Sequence, residues 1–267
     1  DWGLGLSVSM FYSAWNGSAW EETQVASLIY SSHFSKDSLA LDPTNGYPRL
    51  AYTENTENGR MFCKLMYMSW DGSGWTTQTL DNVSSIVGEN PSLALDPSNG
   101  YPRISYTDYH NGGYDQQLKY IVWDGVSWST QVLFSGATAD NSLRLNPTNG
   151  YPRIAFVESL TKNVFYMEWN GASWSTQVVD AAGTAASPID LALDPVTDEP
   201  RICFADYVVD QNIYSIRYAA RDNSAWNVQR VATNSDYATL AIHPISRAPF
   251  IVFTDISSGT SYYMGLS

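Results

Sequence analysis

The chain carries little positive charge. Its 267 residues include 14 Lys and Arg against 27 Asp and Glu, which gives a formal net charge of −13. Nucleic acids and anionic membrane surfaces bind proteins through clustered Lys and Arg. The charge balance therefore argues against a nucleic-acid partner and fits a soluble, well-hydrated surface.

Long apolar runs are also missing. No stretch approaches the roughly 20 apolar residues that a transmembrane helix requires, so we expect no membrane insertion. The first ten residues, DWGLGLSVSM, lack the basic segment of a signal peptide. The composition is nevertheless rich in Trp, Tyr, Asn and Ser and poor in Lys, which favours an extracellular or cell-surface location.

Cysteine and the usual catalytic motifs are scarce. Cys63 and Cys203 fall in different repeats and different strand types, which favours two buried thiols over a disulfide. No Cys or His spacing matches a zinc site, and neither G-x-S-x-G nor His-Glu-x-x-His occurs. We therefore expect no cofactor, and we predict no catalytic residue.

What the sequence has in abundance is repetition, at a period of about 50 residues. One segment predicts an apolar strand, a turn rich in Asp, Pro, Asn and Gly, and a second strand that ends in an acidic residue. Its five copies are SLALDPTNGYPRLAYTE (38–54), SLALDPSNGYPRISYTD (92–108), SLRLNPTNGYPRIAFVE (142–158), DLALDPVTDEPRICFAD (190–206) and TLAIHPISRAPFIVFTD (239–255).

A second segment alternates with the first and is centred on an Asx-Gly pair between tryptophans. Asx-Gly between two apolar runs is the strongest short signal for a β-hairpin, because its tight turn requires positive φ. The flanks are rich in β-branched and aromatic residues, as strands are. The copies are WNGSAW (15–20), WDGSGW (70–75), WDGVSW (123–128), WNGASW (169–174) and the divergent RDNSAW (221–226).

Together the two segments predict four strands per repeat, which we label A to D in chain order. A period near 50 residues, made of short strands separated by turn-forming residues, is typical of a β-propeller, in which each repeat forms one blade. We predict an all-β, five-bladed β-propeller forming a single domain, with the last blade closed by strands from both termini. The predicted blades are about 38–83, 92–134, 142–180, 190–232, and 239–267 together with 1–26.

The two faces of such a ring differ within the chain. The A–B and C–D turns are nearly identical between copies, whereas the B–C and D–A connections vary in length and sequence. Variable loops on a rigid repeated scaffold are where binding specificity is usually built, so we predict a ligand site there. Drift of unconstrained loops is the alternative explanation. The predicted ligand-binding residues are His33, Phe34, Tyr109, His110, Tyr114, Asp115, Tyr207 and Tyr214.

Strand B ends in a carboxylate in every copy, which predicts an acidic ring near the variable face. Such a ring could hold a cation such as calcium or bind a basic group, although no metal can be named from the pattern. A feature present in every blade is more often structural, capping a turn or pairing with a neighbour. The ring consists of Glu54, Asp108, Glu158, Asp206 and Asp255.

Two family resemblances follow from these motifs. The segment SWDGSGW (69–75) resembles the Asp-box of sialidases, Ser-x-Asp-x-Gly-x-x-Trp, although it is one residue short. In that family the box is a structural hairpin, and the sialidase catalytic residues have no matching positions here. The wider repeat resembles tandem propeller repeats of uncharacterised secreted bacterial proteins and, more loosely, propeller lectins with Trp-Asp-Gly turns.

The function that these observations favour is non-catalytic recognition of a glycan or polysaccharide. Aromatic rings stack on the apolar face of a sugar while neighbouring polar groups bind its hydroxyls. Two alternatives remain open. One is a glycoside hydrolase or polysaccharide lyase of propeller fold, using loop carboxylates. The other is a scaffold that binds a protein partner at a cell surface or in a larger assembly.

Overall fold

The computed structural model describes most of the chain. The described residues are 8–28, 32–33, 35, 37–56, 62–83, 86–110, 115–136, 138–208, 213–256 and 260–265, without the side chains of 8, 28, 32, 33, 110, 115, 208 and 264. Within these ranges the secondary structure consists of β-strands and turns. The prediction of an all-β chain is confirmed.

Four blades follow one another along the chain, each an antiparallel sheet in the order A, B, C, D. In blade 1 the A position is divided between two short strands, β3 and β4, which both pair with β5. The strands of blade 1 are β3 (Ser32–His33), β4 (Leu39–Leu41), β5 (Pro48–Asn55), β6 (Cys63–Trp70) and β7 (Trp75–Asp81). Those of blade 2 are β8 (Ile86–Leu95), β9 (Pro102–His110), β10 (Asp115–Trp123) and β11 (Trp128–Ser135).

Blades 3 and 4 repeat this order without interruption. The strands of blade 3 are β12 (Thr138–Leu145), β13 (Pro152–Glu158), β14 (Asn163–Trp169) and β15 (Trp174–Asp180). Those of blade 4 are β16 (Ala185–Leu193), β17 (Pro200–Val208), β18 (Ile213–Asp222) and β19 (Ala225–Thr233). Contacts between successive A strands place these strands on the inside of the array.

The two ends of the chain correct one part of the prediction. The amino-terminal hairpin, β1 (Val8–Trp15) and β2 (Trp20–Leu28), is a separate two-stranded sheet, and the carboxy-terminal sheet has three strands, β20 (Ser235–Ile242), β21 (Pro249–Asp255) and β22 (Ser261–Gly265). Among the described strands, neither β1 nor β2 pairs with β20, β21 or β22. The expected closure by strands from both termini is therefore wrong for the described strands: β22 fills the C position of the last sheet, and the hairpin does not pair with that sheet.

Both turn types are built by Asx side chains that accept hydrogen bonds from the backbone ahead of them. In the A–B turn of blade 1, Asp42 Oδ1 accepts from the amide of Thr44 at 2.9 Å. In the C–D turn, Asp71 Oδ1 accepts from the amides of Ser73 and Gly74 at 2.7 and 2.8 Å. Gly72 has φ +100°, and a Cβ there would lie 2.5 Å from the Tyr47 hydroxyl, so only glycine fits.

Neighbouring blades are held by a tyrosine of one C strand against the first tryptophan of the next D strand. Each pair meets nearly edge to face, which is a favourable aromatic geometry. The ring centroids are 5.5 Å apart for Tyr12–Trp75, 5.3 Å for Tyr67–Trp128, 5.5 Å for Tyr120–Trp174 and 5.4 Å for Tyr166–Trp226. The hairpin joins blade 1 through the first of these pairs, in the position of a preceding blade.

The junctions between blades alternate in chemistry. Between blades 1 and 2, buried Lys119 bridges Asp81, at 3.2 Å, and Asp108. Between blades 3 and 4, Arg217 bridges Asp180 at 2.5 Å and Asp206 at 3.0 Å. Between blades 2 and 3, Phe165 and Phe134 stand in the positions of Lys119 and Asp81, and they form an aromatic cluster with Phe156. A buried cation needs such partners, because an unpaired buried charge is strongly destabilising.

Candidate functional site

The predicted ligand-binding residues lie on several separate elements. Phe34 and Tyr114 fall outside the described residues, and His33, His110 and Asp115 are described by their strands alone. Tyr207 and Tyr214 face each other across the B–C hairpin of blade 4, with ring centroids 4.5 Å apart. Tyr109 is half-buried, and burial together with the charges of Glu89 and Asp140 raises its pKa. Binding at these residues stays a prediction.

The carboxylates of the predicted acidic ring have structural partners in three blades. Asp108 pairs with Lys119, and Asp206 pairs with Arg217. Glu158 accepts hydrogen bonds from the Thr161 hydroxyl and from the amides of Thr161 and Leu160, the amides at 2.6 and 3.2 Å. Burial opposes ionisation of Glu158, but these bonds lower its pKa overall. These contacts support the structural explanation of the repeated acid. No group of three or more His, Cys, Asp or Glu among the described residues is arranged to hold a metal ion.

A first cavity, the axial cavity, lies beside the inner strands at their variable-face end. It has a volume of about 360 Å³ and is lined by Ser35, Asn90, Asp140, Pro188, Tyr237, Ala238, Thr239 and Val252. Asp140 is its carboxylate among these residues, and both of its oxygens already accept backbone amide hydrogens, from Asn141 at 2.9 Å and Ile189 at 3.0 Å. The accessible wall of this cavity is mainly apolar, and the carboxylate of Asp140 is already engaged by backbone amides.

A second cavity, the junction cavity, lies between blades 1 and 2 on the face of the repeated turns. Its volume is also about 360 Å³, within the range of small-molecule sites. Its floor and walls combine aromatic and polar side chains from both blades. The lining residues are Asp42, Thr44, Asn45, Arg49, Tyr67, Ser69, Gln78, Asn99, Gly100, Tyr101, Pro102, Trp123 and Trp128.

The aromatic wall of the junction cavity is the base of the C–D hairpin of blade 2. Trp123 and Trp128 form a directly paired position of that hairpin, with ring centroids 5.4 Å apart. Trp128 Nε1 donates to Gln78 Oε1 at 2.9 Å, which fixes the orientation of its ring. Trp123 is half-buried and has no such anchor among the described contacts, so its ring can pack against a ligand.

The polar wall is an ion pair between the A–B turn and strand B. Arg49 donates to Asp42 Oδ2 at 2.8 Å and to the Trp70 carbonyl at 2.6 Å. Burial opposes ionisation of Asp42, but hydrogen bonds from Thr44 and the charge of Arg49 lower its pKa overall. The same pairing joins Arg103 to Asp96 at 2.7 Å. The arginine near the start of strand B is therefore paired with the carboxylate of the A–B turn in both blade 1 and blade 2.

The repeat places related cavities at other junctions. Between the amino-terminal hairpin and blade 1, a cavity of about 260 Å³ is lined by Tyr12, Ala14, Glu21, Thr23, Tyr47, Pro48, Trp70 and Trp75. Trp70 and Trp75 correspond to Trp123 and Trp128 in the repeat. The aromatic wall is therefore present at both junctions, while the ion pair of Arg49 and Asp42 lines the junction cavity and does not lie among the described lining residues of this one.

Between blades 3 and 4 the same position has different chemistry. Arg221 stands where the repeat has Trp123, and its guanidinium contacts Glu199 at 2.8 Å and Glu168 at 3.2 Å. It also lies 5.0 Å above the Tyr166 ring. Burial alone would lower the pKa of Arg221, but these partners raise it overall. A network of ion pairs thus occupies the position of the aromatic wall.

Similarity to known proteins lies in the fold. No protein-family model matches the chain, and no curated protein matches it. The chain is similar to the SapL1 lectin solved with α-methyl fucoside, with 15% identity, coverage of 99% of this chain and 90% of that one, and a TM-score of 0.57.

Two glycoside hydrolases are also similar to the chain in fold. An α-L-arabinanase of Penicillium chrysogenum solved with arabinobiose has 11% identity, coverage of 88% and 83%, and a TM-score of 0.61. An α-L-arabinofuranosidase of Fusarium graminearum solved with an iminosugar inhibitor has 9% identity, coverage of 87% and 82%, and a TM-score of 0.56. The chain has a propeller-type fold.

The junction cavity was missed at the level of sequence because its residues belong to the repeated motifs. Repetition was interpreted there as structural, and variability as functional. The signal that could have found it is the retention of two tryptophans per C–D hairpin, when a single one suffices to contact the tyrosine of the preceding blade.

No helix among the described residues is long and apolar enough to cross a membrane.

Proposed function

We propose that this protein is a non-catalytic carbohydrate-binding propeller that takes a sugar residue into the junction cavity between blades 1 and 2. The observation that carries the proposal is the pairing of an aromatic wall, Trp123, with a polar wall, Arg49, Asn45 and Asp42, across one cavity. A pyranose presents an apolar face to aromatic rings and hydroxyls to polar groups. The fucoside-bound lectin of similar fold supports the same class of ligand.

A binding function fits these walls better than hydrolysis. Glycoside hydrolysis in its usual form needs two carboxylates flanking the scissile bond, one of them with a raised pKa. In the junction cavity, Asp42 is the carboxylate among the described lining residues, and its pKa is lowered. It is also held by Arg49 and Thr44, which leaves no free acid to protonate a leaving group.

An extracellular or cell-surface setting completes the proposal. The chain is strongly acidic and poor in Lys, which fits that setting, and the sugar polymers found there are the class of ligand that we propose for the aromatic cavity. The cavity between the amino-terminal hairpin and blade 1 has the same aromatic wall, and simultaneous contacts of one polymer with both cavities raise the overall affinity through effective concentration.

The test is a glycan array followed by calorimetry on the chain 1–267. We expect a glycan ligand, and we expect Trp123→Ala to lower the number of sugar molecules bound per chain. Trp15→Ala is the matched control, because Trp15 holds the corresponding hairpin position but lines none of the cavities described above. A joint Tyr207→Ala and Tyr214→Ala variant tests the variable face, and loss of binding there instead would contradict the placement. Turnover of an oligosaccharide panel would contradict the non-catalytic assignment.

A further inference from the structure

The axial cavity is lined by one position of the repeat, three residues before the buried leucine of the inner strand. In blades 2, 3 and 4 and in the carboxy-terminal sheet, this position is Asn90, Asp140, Pro188 and Tyr237. Each of these strands shifts its register with strand B at this position. A β-bulge re-aims a side chain, which explains why these residues face the cavity while the leucines pack between blades.

The repeat is kept in the packing residues and lost at the cavity. The four buried residues that follow in these strands are all leucine: Leu93, Leu143, Leu191 and Leu240. The four lining residues are an amide, a carboxylate, a proline ring and a phenol. The cavity therefore has an asymmetric wall, which suits a single bound molecule and contributes nothing to the regularity of the blades.

Tyr237 has a backbone conformation that costs free energy. Its φ of +46° lies in the left-handed region, which glycine adopts freely and a bulky residue does not. Its side chain is 73% exposed, so burial does not offset that cost. None of the hydrogen bonds in the described part of the chain involves its hydroxyl. Backbone strain of this kind collects at ligand sites, and here it holds an aromatic ring at the wall of a cavity.

The wall favours an uncharged, apolar ligand. Pro188, Ala238 and Val252 line the cavity beside the Tyr237 ring, and Val252 is 43% exposed. Asp140 is the carboxylate among the described lining residues, and the net charge of the chain is −13, so both disfavour an anion.

The polar groups of the wall are few. Thr239 donates its hydroxyl hydrogen to Asp190 at 2.7 Å, and Ser35 donates to the Pro91 carbonyl. A sugar in this cavity would leave several of its hydroxyls without partners, which is costly. Asn90 Nδ2 donates to the Ala139 carbonyl at 2.9 Å, which fixes the amide and leaves Oδ1 as an acceptor.

The volume sets the size of the ligand. The cavity measures about 360 Å³, and a dry cavity of about 150 Å³ holds one benzene ring. We propose that the axial cavity binds an uncharged bicyclic aromatic compound with a single O–H or N–H donor. Its rings pack against Tyr237 and Val252, and its donor reaches Asn90. This site shares no described lining residue with the junction cavity, so it does not depend on sugar binding there.

The first experiment is calorimetry of the chain 1–267 with two probes. 2-Naphthol has two fused rings, one hydroxyl donor and no charge at pH 7, and 2-naphthoate replaces that hydroxyl with a negative carboxylate. We expect one 2-naphthol bound per chain and binding of 2-naphthoate that is weaker by at least about tenfold, because burial of a charge is costly. No binding of 2-naphthol, or equal binding of the two probes, overturns the proposal.

Variants then place the probe in the axial cavity. Tyr237→Gly removes the ring, and Val252→Glu puts a charged chain on the wall; we expect each to weaken 2-naphthol binding by at least about tenfold. Tyr237→Gly should melt no lower than the wild type, because glycine adopts this φ without strain. Tyr263→Ser is the control, since Tyr263 is 66% exposed on the same sheet and lines none of the cavities described above.

Two outcomes of these measurements would overturn the proposal. One is an equal loss of 2-naphthol binding in Tyr263→Ser and Tyr237→Gly, which would mean that the probe sticks to any exposed ring. The other is a Tyr237→Gly variant that melts lower and still binds 2-naphthol, which would mean that the tyrosine serves stability and not the ligand.

Discussion

Single tryptophans at the start of the D strands join neighbouring blades. Trp128 contacts Tyr67 of blade 1 and donates to Gln78, so it belongs to blade 2 in sequence but binds blade 1. We predict that Trp128→Ala lowers the free energy of unfolding by about 2–4 kcal/mol, somewhat below a fully buried aromatic because its ring is half-buried.

Urea unfolding measures this change. Trp20→Ala is the matched control, since Trp20 has the same strand position but is mostly exposed, and we expect it to change stability by less than about 0.5 kcal/mol. Equal losses for the two variants would show that the tryptophan stabilises its own hairpin and not the junction.

The turn carboxylate of blade 4 predicts a pH dependence. Burial opposes ionisation of Asp194, but amide hydrogen bonds from Thr197 and Val196 and the side chain of Arg247 lower its pKa to about 2. A pKa lower in the folded than in the unfolded state stabilises the fold above about pH 4, and this contribution is lost as the pH falls towards 2.

Asp194→Asn tests this assignment. Asn146 shows that Asn forms the same turn in blade 3, accepting from the Thr148 amide at 2.8 Å. We expect the variant to be less stable by about 1–2 kcal/mol near pH 6 and to approach the wild type near pH 2. A difference that stays constant over that range would mean that ionisation of Asp194 does not stabilise the fold.

At the scale of elements, the C–D hairpins decide which junctions have an aromatic wall. Blades 1 to 3 carry two tryptophans at the hairpin base, and blade 4 carries Arg221 and Trp226. Arg221 is held by Glu199 and Glu168, and Glu199 stands where blade 2 has Tyr101. We therefore expect the junction between blades 3 and 4 not to bind the sugar that the junction cavity binds.

Restoring the aromatic residues of the repeat at the junction between blades 3 and 4 should create a sugar-binding site there. The variant Arg221→Trp with Glu199→Tyr removes the ion pairs and rebuilds both aromatic positions, and calorimetry should then find one additional sugar bound per chain. Arg221→Ala alone is the control, since it removes the cation without supplying a ring. Unchanged stoichiometry in the rebuilt variant, with its fold intact, would mean that the aromatic wall does not define the site.

At the scale of the whole molecule, a polar network at the inner strands connects distant blades. Asp37, just before β4, accepts from Ser142 at 2.8 Å and pairs with Arg144 of blade 3 at 3.0 Å. Arg144 also contacts Asp190 of blade 4 at 3.0 Å, and Asp190 accepts from Thr239 at 2.7 Å. Burial alone would lower the pKa of Arg144, but the charges of Asp37 and Asp190 raise it overall. The network keeps buried charges paired, as a low-dielectric interior requires.

The sequence alone determined the repeat and the local structure inside it. Strand alternation and Asx-Gly turns depend on residues near one another in the chain, so the four-stranded sheets and the turn at Gly72 were predictable. The pairing of Arg49 with Asp42 was predictable for the same reason, because seven residues and one turn separate them.

Only the tertiary structure decided how the sheets meet. Whether the hairpin β1–β2 completes the last blade depends on contacts between the two ends of the chain, and no local pattern encodes them. The junction cavity likewise combines side chains of two blades about 50 residues apart. Because the repeats are alike, the blades present similar packing surfaces to their neighbours. The sequence therefore specifies these surfaces, and the tertiary structure determines which of them are in contact and which remain exposed.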